Sequence, residues 1–171
     1  PVTLLSTPLC IDPKGNEGLN PQKTEPTNPL YSLDKQQSSL VYYDKNTIVL
    51  TMPYWVKGTN SSVEDSEVKK HSFVLSYDPE AMTASDTKLK LYISHVVEDA
   101  GETVTRSNFT YAYRAYSIRA ALAAFKEKTG KLPKYLELTA EINNSKDELV
   151  DKDGKETSVE RSVEYDYAFT E

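Results

Sequence analysis

Two histidines, His71 and His95, are the residues of this sequence whose type and spacing could support chemistry. Each lies in a run where apolar and other residues alternate, which is typical of β-strands. If the two runs pair antiparallel with Leu75 opposite Leu91, His71 lies opposite His95, with Cβ atoms about 5 Å apart. The sequence therefore predicts a histidine pair at one end of an apolar sheet face.

Three interpretations of this pair are open. The rings are neutral, hydrogen-bonded ends of a core face; or they form a pH switch, because two touching imidazoles resist double protonation; or they bind a metal ion with Asp99 or Glu98 as a further ligand, since catalytic zinc sites combine histidine with carboxylate. We take the first as our prediction, with no catalytic residue and no cofactor. A metal-dependent hydrolase at His71, His95 and Asp99 is the alternative.

Aromatic residues on predicted strands form a second candidate site. Rings with a polar tip suit contacts with glycans or proteins. The competing explanation is cross-strand packing, because tyrosine is favoured in strands. The candidate binding surface comprises Tyr42, Tyr43, Tyr54, Trp55, Tyr111, Tyr113 and Tyr116.

Composition narrows the classes of partner. The chain has 171 residues and a net charge of −6, so nucleic acid, with its phosphate charges, is disfavoured. No apolar run reaches the roughly 18 residues of a membrane-spanning helix. Cys10 is the single cysteine, cannot form an internal disulfide, and is expected to be inert.

A crossover α-helix is predicted at about 117–129. Ser117 is the predicted N-cap, and Gly130 suits the left-handed position after the last turn. The helix is too short to be stable alone and must be buried on a sheet. Its apolar stripe consists of Ile118, Ala121, Leu122 and Phe125.

The remaining elements read as strands. Leu40 is predicted opposite Leu50 across a three-residue turn, Pro53 ends that ladder or marks a sheet edge, and Ile142 is predicted opposite Val163. About seven alternating strands indicate an all-β, Ig-like, mostly antiparallel β-sandwich. We expect an irregular N-terminal arm over residues 1–37, the possible end of a missing upstream domain. The sandwich then spans 38–171 and carries a charged hairpin arm at 143–162.

Several of these features together resemble the C-terminal domain of the NigD-like family of Bacteroidota envelope lipoproteins. They are the strand start Lys70-His71, the strand end His95 followed by Asp99, and a helix before 129–133, TGKLP. Ser94 and Val96 depart from the arginine and asparagine of the family pattern.

The resemblance implies a β-sandwich that follows a signal peptide, a lipidated cysteine and a small OB-like barrel. It implies a cell-envelope location, with membrane attachment only through that missing lipidated N-terminus, and supplies no catalytic residues. We therefore expect a non-catalytic binding or interaction module whose partner is a glycan or an envelope protein.

Overall fold

The computed structural model describes residues 9–10, 12–13, 25–58, 62–144 and 158–170. The described residues form strands and helices in this order: β1 (Leu9–Cys10), β2 (Asp12–Pro13), β3 (Ser39–Asp44), β4 (Thr47–Val56), α1 (Asp65–Val68), β5 (His71–Tyr77), a 3₁₀ turn (Pro79–Ala81), β6 (Lys88–Val97), β7 (Asn108–Ser117), α2 (Arg119–Thr129), β8 (Tyr135–Ile142) and β9 (Val159–Asp166).

The strands form two sheets. The first has the order β1-β7-β4-β3 and the second the order β2-β5-β6-β8-β9. Four of the strand pairs are antiparallel, while β1–β7, β2–β5 and β6–β8 are parallel. The predicted all-β sandwich-like fold, dominated by antiparallel pairs and carrying one crossover helix, is confirmed.

Strict alternation along the strands creates the core. On β4, for example, Ile48, Leu50 and Met52 face inward and are at most 1% exposed. On β8, alternate residues from Leu136 to Ile142 also face inward and are at most 6% exposed. The inward rows of the two sheets pack into one continuous apolar cluster.

Helix α2 covers one end of the sandwich. Its four stripe residues are at most 5% exposed, as predicted. The predicted cap at Ser117 is wrong: Ser117 still pairs with Thr47 in the sheet, and Ile118 occupies the N-cap position without a side-chain cap bond. The Ile118 amide instead donates to the Asn46 carbonyl at 2.7 Å. Gly130 ends the helix with φ of 79°, as predicted.

The hairpin of β3 and β4 pairs Leu40 with Leu50, as predicted. Its turn is shorter than the three residues predicted, because Asp44 pairs with Thr47 across a bulge at Tyr43.

Pro53 does not end the ladder, since β4 continues to Val56 and pairs with β7 throughout. In an antiparallel strand the amide and carbonyl of one residue point to the same side. The Pro53 carbonyl accepts a hydrogen bond from the Tyr31 amide at 3.0 Å, on the side away from β7. The missing N–H of the proline therefore also points away from β7 and costs that ladder nothing.

Two predicted registers are shifted. In β5–β6, Leu75 pairs with Ile93 rather than Leu91. In β8–β9, Ile142 pairs with Val159 rather than Val163, so β9 begins inside the predicted arm 143–162. Both shifts are even, and therefore each residue keeps its predicted face; alternation alone cannot detect such a shift.

A short segment, Thr27–Tyr31, crosses from one sheet to the other; we call it the strap. It fills the gap where β6 and β8 diverge: the amides of Thr27 and Asn28 donate to the His95 carbonyl. Leu30 then bridges β8 and β4 and is fully buried. The predicted division at residue 37 stays a prediction, and residues 145–157 of the predicted hairpin arm lie outside the described residues.

Candidate functional site

At the end of the sandwich opposite α2 lies a buried group of polar side chains. It contains Glu67, His71, His95, Asp99 and Arg106, which we call the histidine cluster. The two imidazoles, Glu67 and Arg106 are each at most 5% exposed. Charged side chains are rarely buried to this degree unless they are paired.

The strands bring the two histidines together in spite of the shifted register. His71 pairs with Val97 and His95 with Phe73, so the histidines are diagonal neighbours on the inner face. Their rings are stacked with centroids 5.1 Å apart, and His71 Nδ1 lies 2.8 Å from His95 Nε2. The predicted histidine contact is therefore present, although the strand register behind it differs.

Glu67 reaches the pair from the short helix α1. Its Oε1 lies 2.9 Å from His71 Nε2 and accepts hydrogen bonds from the Lys57 amide at 3.0 Å and Arg106 Nε at 2.7 Å. The i,i+4 spacing of Glu67 and His71 was a signal for this contact. No apolar period marks this segment as a helix, because the segment is polar, and the contact was therefore not predicted.

Arg106 closes the cluster on the other side. Its two terminal nitrogens bind the Asp99 carboxylate at 2.7 and 2.6 Å, a bidentate arrangement. Arg106 was not predicted as part of this site, because a lone arginine in a loop carries no periodic signal.

These contacts shift the pKa values of the cluster. Burial acts to raise the pKa of Glu67, but hydrogen bonds from Arg106, the Lys57 amide and His71 outweigh it and lower the pKa to about 2. Hydrogen bonds from Arg106 lower the pKa of Asp99. Burial, followed by the charge of His71, lowers the pKa of His95 to about 3. Burial also lowers the pKa of His71, against the hydrogen bond and charge of Glu67, which raise it.

The geometry does not support the metal-site alternative. All four ring nitrogens of His71 and His95 have hydrogen-bond partners, the last being the Pro29 carbonyl at 3.1 Å from His95 Nδ1. Asp99 is bound to Arg106 instead of facing the histidines. Within the described part of the chain, no group of three or more histidine, cysteine, aspartate or glutamate residues is arranged to hold a metal ion.

The outer face of the first sheet has a different character. The described residues that point outward from its three long strands carry one charged side chain, that of Asp44, which pairs with Thr47 at the hairpin end of β3. Beyond this end the described outward residues are uncharged, and we call this surface the uncharged face. Its members are Ser39 and Val41 on β3; Val49, Thr51, Pro53 and Trp55 on β4; and Phe109, Tyr111, Tyr113 and Ala115 on β7.

The structure divides the predicted aromatic surface. Tyr111 and Tyr113 lie on the uncharged face, 41% and 67% exposed, and Tyr43 lies at its border, 65% exposed. The other predicted members are not on an open surface. Tyr54 and Tyr116 face the core.

The remaining two predicted members are held by hydrogen bonds. Tyr42 faces inward, half-buried, and donates to the Asp166 carbonyl at 2.7 Å. Trp55 is 3% exposed because Tyr31 packs against its ring and its Nε1 donates to the Asn143 carbonyl at 2.6 Å.

Two aromatic residues belong to this surface although they were not predicted for it. Phe109 shares a side of β7 with Tyr111 and Tyr113, and is 38% exposed. Tyr31, from the strap, stacks on Phe109 with ring centroids 4.1 Å apart. The alternation of β7 was a signal for Phe109, whereas Tyr31 reaches the surface only through the path of the strap.

The outer face of the second sheet shows the contrast. It carries both signs of charge, and Lys88 lies between two acidic residues. The charged residues that point outward there are Lys88, Lys90, Glu137, Glu141, Glu160, Glu164 and Asp166.

Fold and site together define a class: a two-sheet β-sandwich with a closed polar cluster at one end and an uncharged aromatic face. The chain is similar to a crystal structure from Bacteroides fragilis whose protein is named as a candidate lipoprotein. The TM-score is 0.71 at 25% sequence identity, and the similarity covers 96% of this chain and 71% of that one.

A second solved structure is an uncharacterized protein from Parabacteroides merdae. Its TM-score is 0.48 at 12% identity, with 94% of this chain and 67% of that one covered, which supports no further conclusion. No protein-family model and no curated protein matches the sequence. Among the described residues, no helix is long and apolar enough to cross a membrane.

Proposed function

We propose that this chain is the non-catalytic binding domain of a cell-envelope lipoprotein related to the NigD-like family, and that its uncharged face binds a neutral glycan. The similarity to a Bacteroides protein named as a candidate lipoprotein supports the envelope location. The observation that carries the binding role is an outer sheet face with exposed rings and, apart from Asp44 at one end, no charged side chain.

The side chains of this face suit a sugar. Phe109, Tyr111 and Tyr113 alternate along β7, so their rings follow one line over about 13 Å. Ring faces stack on the apolar faces of sugar rings, and tyrosine and threonine hydroxyls exchange hydrogen bonds with sugar hydroxyls. Thr51 pairs with Tyr113 and supplies such a hydroxyl in the same row.

Charge favours a neutral ligand over an anionic one. The chain has a net charge of −6, and the uncharged face offers no lysine or arginine to an acidic glycan or an anionic lipid surface. In a sequence with 27% charged residues, a sheet face whose single charged side chain, Asp44, lies at one end suits an uncharged partner.

The first experiment is affinity electrophoresis of the domain in gels that contain starch, yeast mannan, xyloglucan or arabinoxylan, with polygalacturonate as the acidic comparison. We expect retardation by at least one neutral polysaccharide and none by polygalacturonate. Tyr111→Ala and Tyr113→Ala should each weaken binding about tenfold, because one stacked ring is worth about 1.4 kcal/mol or less beyond its buried area.

Tyr135→Ala is the matched control, since Tyr135 points outward from the second sheet and should leave binding unchanged. Absence of retardation in every neutral polysaccharide would contradict the proposal. Binding that survives both Tyr111→Ala and Tyr113→Ala, or binding to anionic vesicles or to a protein partner instead, would contradict it as well.

A further inference from the structure

Three hydrogen bonds run in sequence through the histidine pair. They join the Pro29 carbonyl to His95 Nδ1 at 3.1 Å, His95 Nε2 to His71 Nδ1 at 2.8 Å, and His71 Nε2 to Glu67 Oε1 at 2.9 Å. Each bond needs one hydrogen. A carbonyl only accepts, so His95 Nδ1 is a donor, and two neutral imidazoles supply only one N–H each. One of the three bonds therefore lacks its hydrogen unless His95, His71 and Glu67 together hold a third proton.

The third proton does not fit on Glu67. Its Oε1 already accepts from the Lys57 amide and from Arg106 Nε, and both donors favour the ionised carboxylate. Without a third proton, either the His71 Nε2 lone pair faces a carboxylate oxygen at 2.9 Å, or the lone pairs of His71 Nδ1 and His95 Nε2 face each other at 2.8 Å. Burial acts to lower the pKa of His71, but the hydrogen bond and charge of Glu67, together with the hydrogen that the contact with His95 requires, hold the proton on the histidine pair.

Charge balance leads to the same assignment. Glu67 and Asp99 carry two negative charges in the cluster against one positive charge on Arg106. A singly protonated histidine pair makes the five-residue cluster neutral when Asp99, whose side chain is 19% exposed, is counted with the buried groups.

The neighbours of the pair add no compensating charge inside the core. Tyr54 from β4 packs on both rings, and Phe73 from β5 stacks on His95. Lys70 lies 3.8 Å from Asp99, but its side chain is 36% exposed and reaches the solvent.

The pair is also the attachment point of the strap. The His95 carbonyl accepts from the amides of Thr27 and Asn28, while the His95 ring donates to Pro29. Two residues further, Tyr31 stacks on Phe109 at the end of the uncharged face. A continuous path of contacts thus connects the histidine cluster to that face.

We propose that the histidine pair holds one proton more than two neutral rings, and that this proton, held on His71, keeps His95 in the Nδ1–H tautomer that fixes the strap and so positions Tyr31 beside Phe109. His71 and His95 are positioning residues. The value of Tyr31 to a ligand rests on the proposed function, whereas the proton and the strap are properties of the free protein.

The proton is counted directly by ¹⁵N NMR of the histidine side chains in the wild-type protein at pH 7. We expect protonated-type shifts at three of the four ring nitrogens, with His95 Nε2 as the acceptor. If only two of the four ring nitrogens are protonated, the proposal is overturned, whichever two they are. This measurement needs no variant and does not depend on the folding of one.

Two matched variants test the link to the strap. The amide nitrogen of His95→Asn takes the place of Nδ1 and preserves the donor to Pro29, whereas His95→Gln places its amide near Nε2 and loses that donor. Trp55 is the reporter, because it is the single tryptophan, is 3% exposed and packs against Tyr31.

We expect His95→Gln to raise the acrylamide quenching constant of Trp55 several-fold and to speed amide exchange at Tyr31 about tenfold, with His95→Asn close to wild type. Equal protection of Trp55 in both variants would overturn the link. None of these readouts involves a glycan, so their failure and a failure of glycan binding are separate results.

Discussion

Glu67, a side chain of the short helix α1, holds the histidine cluster together. It is 5% exposed and contacts Arg106, His71 and the Lys57 amide at once. Burying a carboxylate is unfavourable by many kcal/mol unless cations and hydrogen bonds replace its water. The cluster is therefore stable only as a complete set, and the loss of one member leaves its neighbours buried without a counter-charge.

The variant Glu67→Gln tests this dependence, because it keeps the shape and removes the charge. We expect the free energy of unfolding to fall by about 3 kcal/mol, since Arg106 and the protonated histidine pair lose their shared anion. Urea unfolding followed by circular dichroism measures the change.

Glu64→Gln is the control, because Glu64 is exposed and precedes the same short helix. It should change stability by no more than about 0.5 kcal/mol. Equal urea concentrations at the unfolding midpoints of Glu67→Gln and Glu64→Gln would show that the buried charge does not hold the cluster together.

Among the elements, α2 has the clearest relation between sequence and structure. Its stripe buries Ile118 and Phe125 completely against the sheets, and Gly130 stops the helix in a left-handed conformation with φ of 79°. A Cβ at Gly130 would meet no atom within 4 Å, so substitution there changes only the conformational energy.

Gly130→Ala is therefore expected to destabilise the protein by about 1 kcal/mol, a fall of about 2–4 °C in Tm. Gly130→Asn should cost less, because asparagine adopts the left-handed conformation more readily. Differential scanning calorimetry compares the two. If the alanine variant melts at or above the asparagine variant, the left-handed end of α2 is not the source of the effect.

At the scale of the molecule, the two ends and the two outer faces are specialised. Helix α2 covers one end with apolar side chains, while the strap and the histidine cluster close the other. One outer face has a single charged residue, Asp44, at one end, and the other carries charges of both signs. The buried charged side chains thus lie at the end of the sandwich away from α2, although this helix has the clearest pattern in the sequence.

The cluster predicts how stability depends on pH. The pKa of Glu67 is about 2 against an ordinary 4.5, so its contribution, about 3 kcal/mol, is complete above pH 4.5 and is lost as pH falls toward 2. The pKa of His95 is lowered from 6.5 to about 3, so the unfolded chain binds that proton first as pH falls. Both Glu67 and His95 therefore make the folded protein less stable as pH falls.

We therefore expect the free energy of unfolding to decrease steadily from about pH 6.5 to pH 2. Urea titrations at a series of pH values measure it. In Glu67→Gln, the part of the decrease between pH 4.5 and pH 2 should be smaller. Stability that stays constant or rises on acidification to pH 3 would contradict the assignment.

Local sequence was sufficient to predict the inward faces of the strands. The alternation along β7 and β8 separates exposed Tyr113 from buried Tyr116, and buried Leu138 from half-buried Glu137. The stripe and the terminal glycine of α2 likewise specify a helix at this point in the chain. These features depend on backbone geometry that repeats every two or 3.6 residues, so a single segment contains the information.

Tertiary structure alone decided the register, the cover on Trp55 and the partners of the histidines. A shift of two or four residues preserves every inward and outward face, so the pairing of Leu75 with Ile93 depends on how whole strands pack. Trp55 is buried because the strap crosses it, and His71 meets Arg106 only through Glu67. Such contacts join segments far apart in the chain, and no local period encodes them.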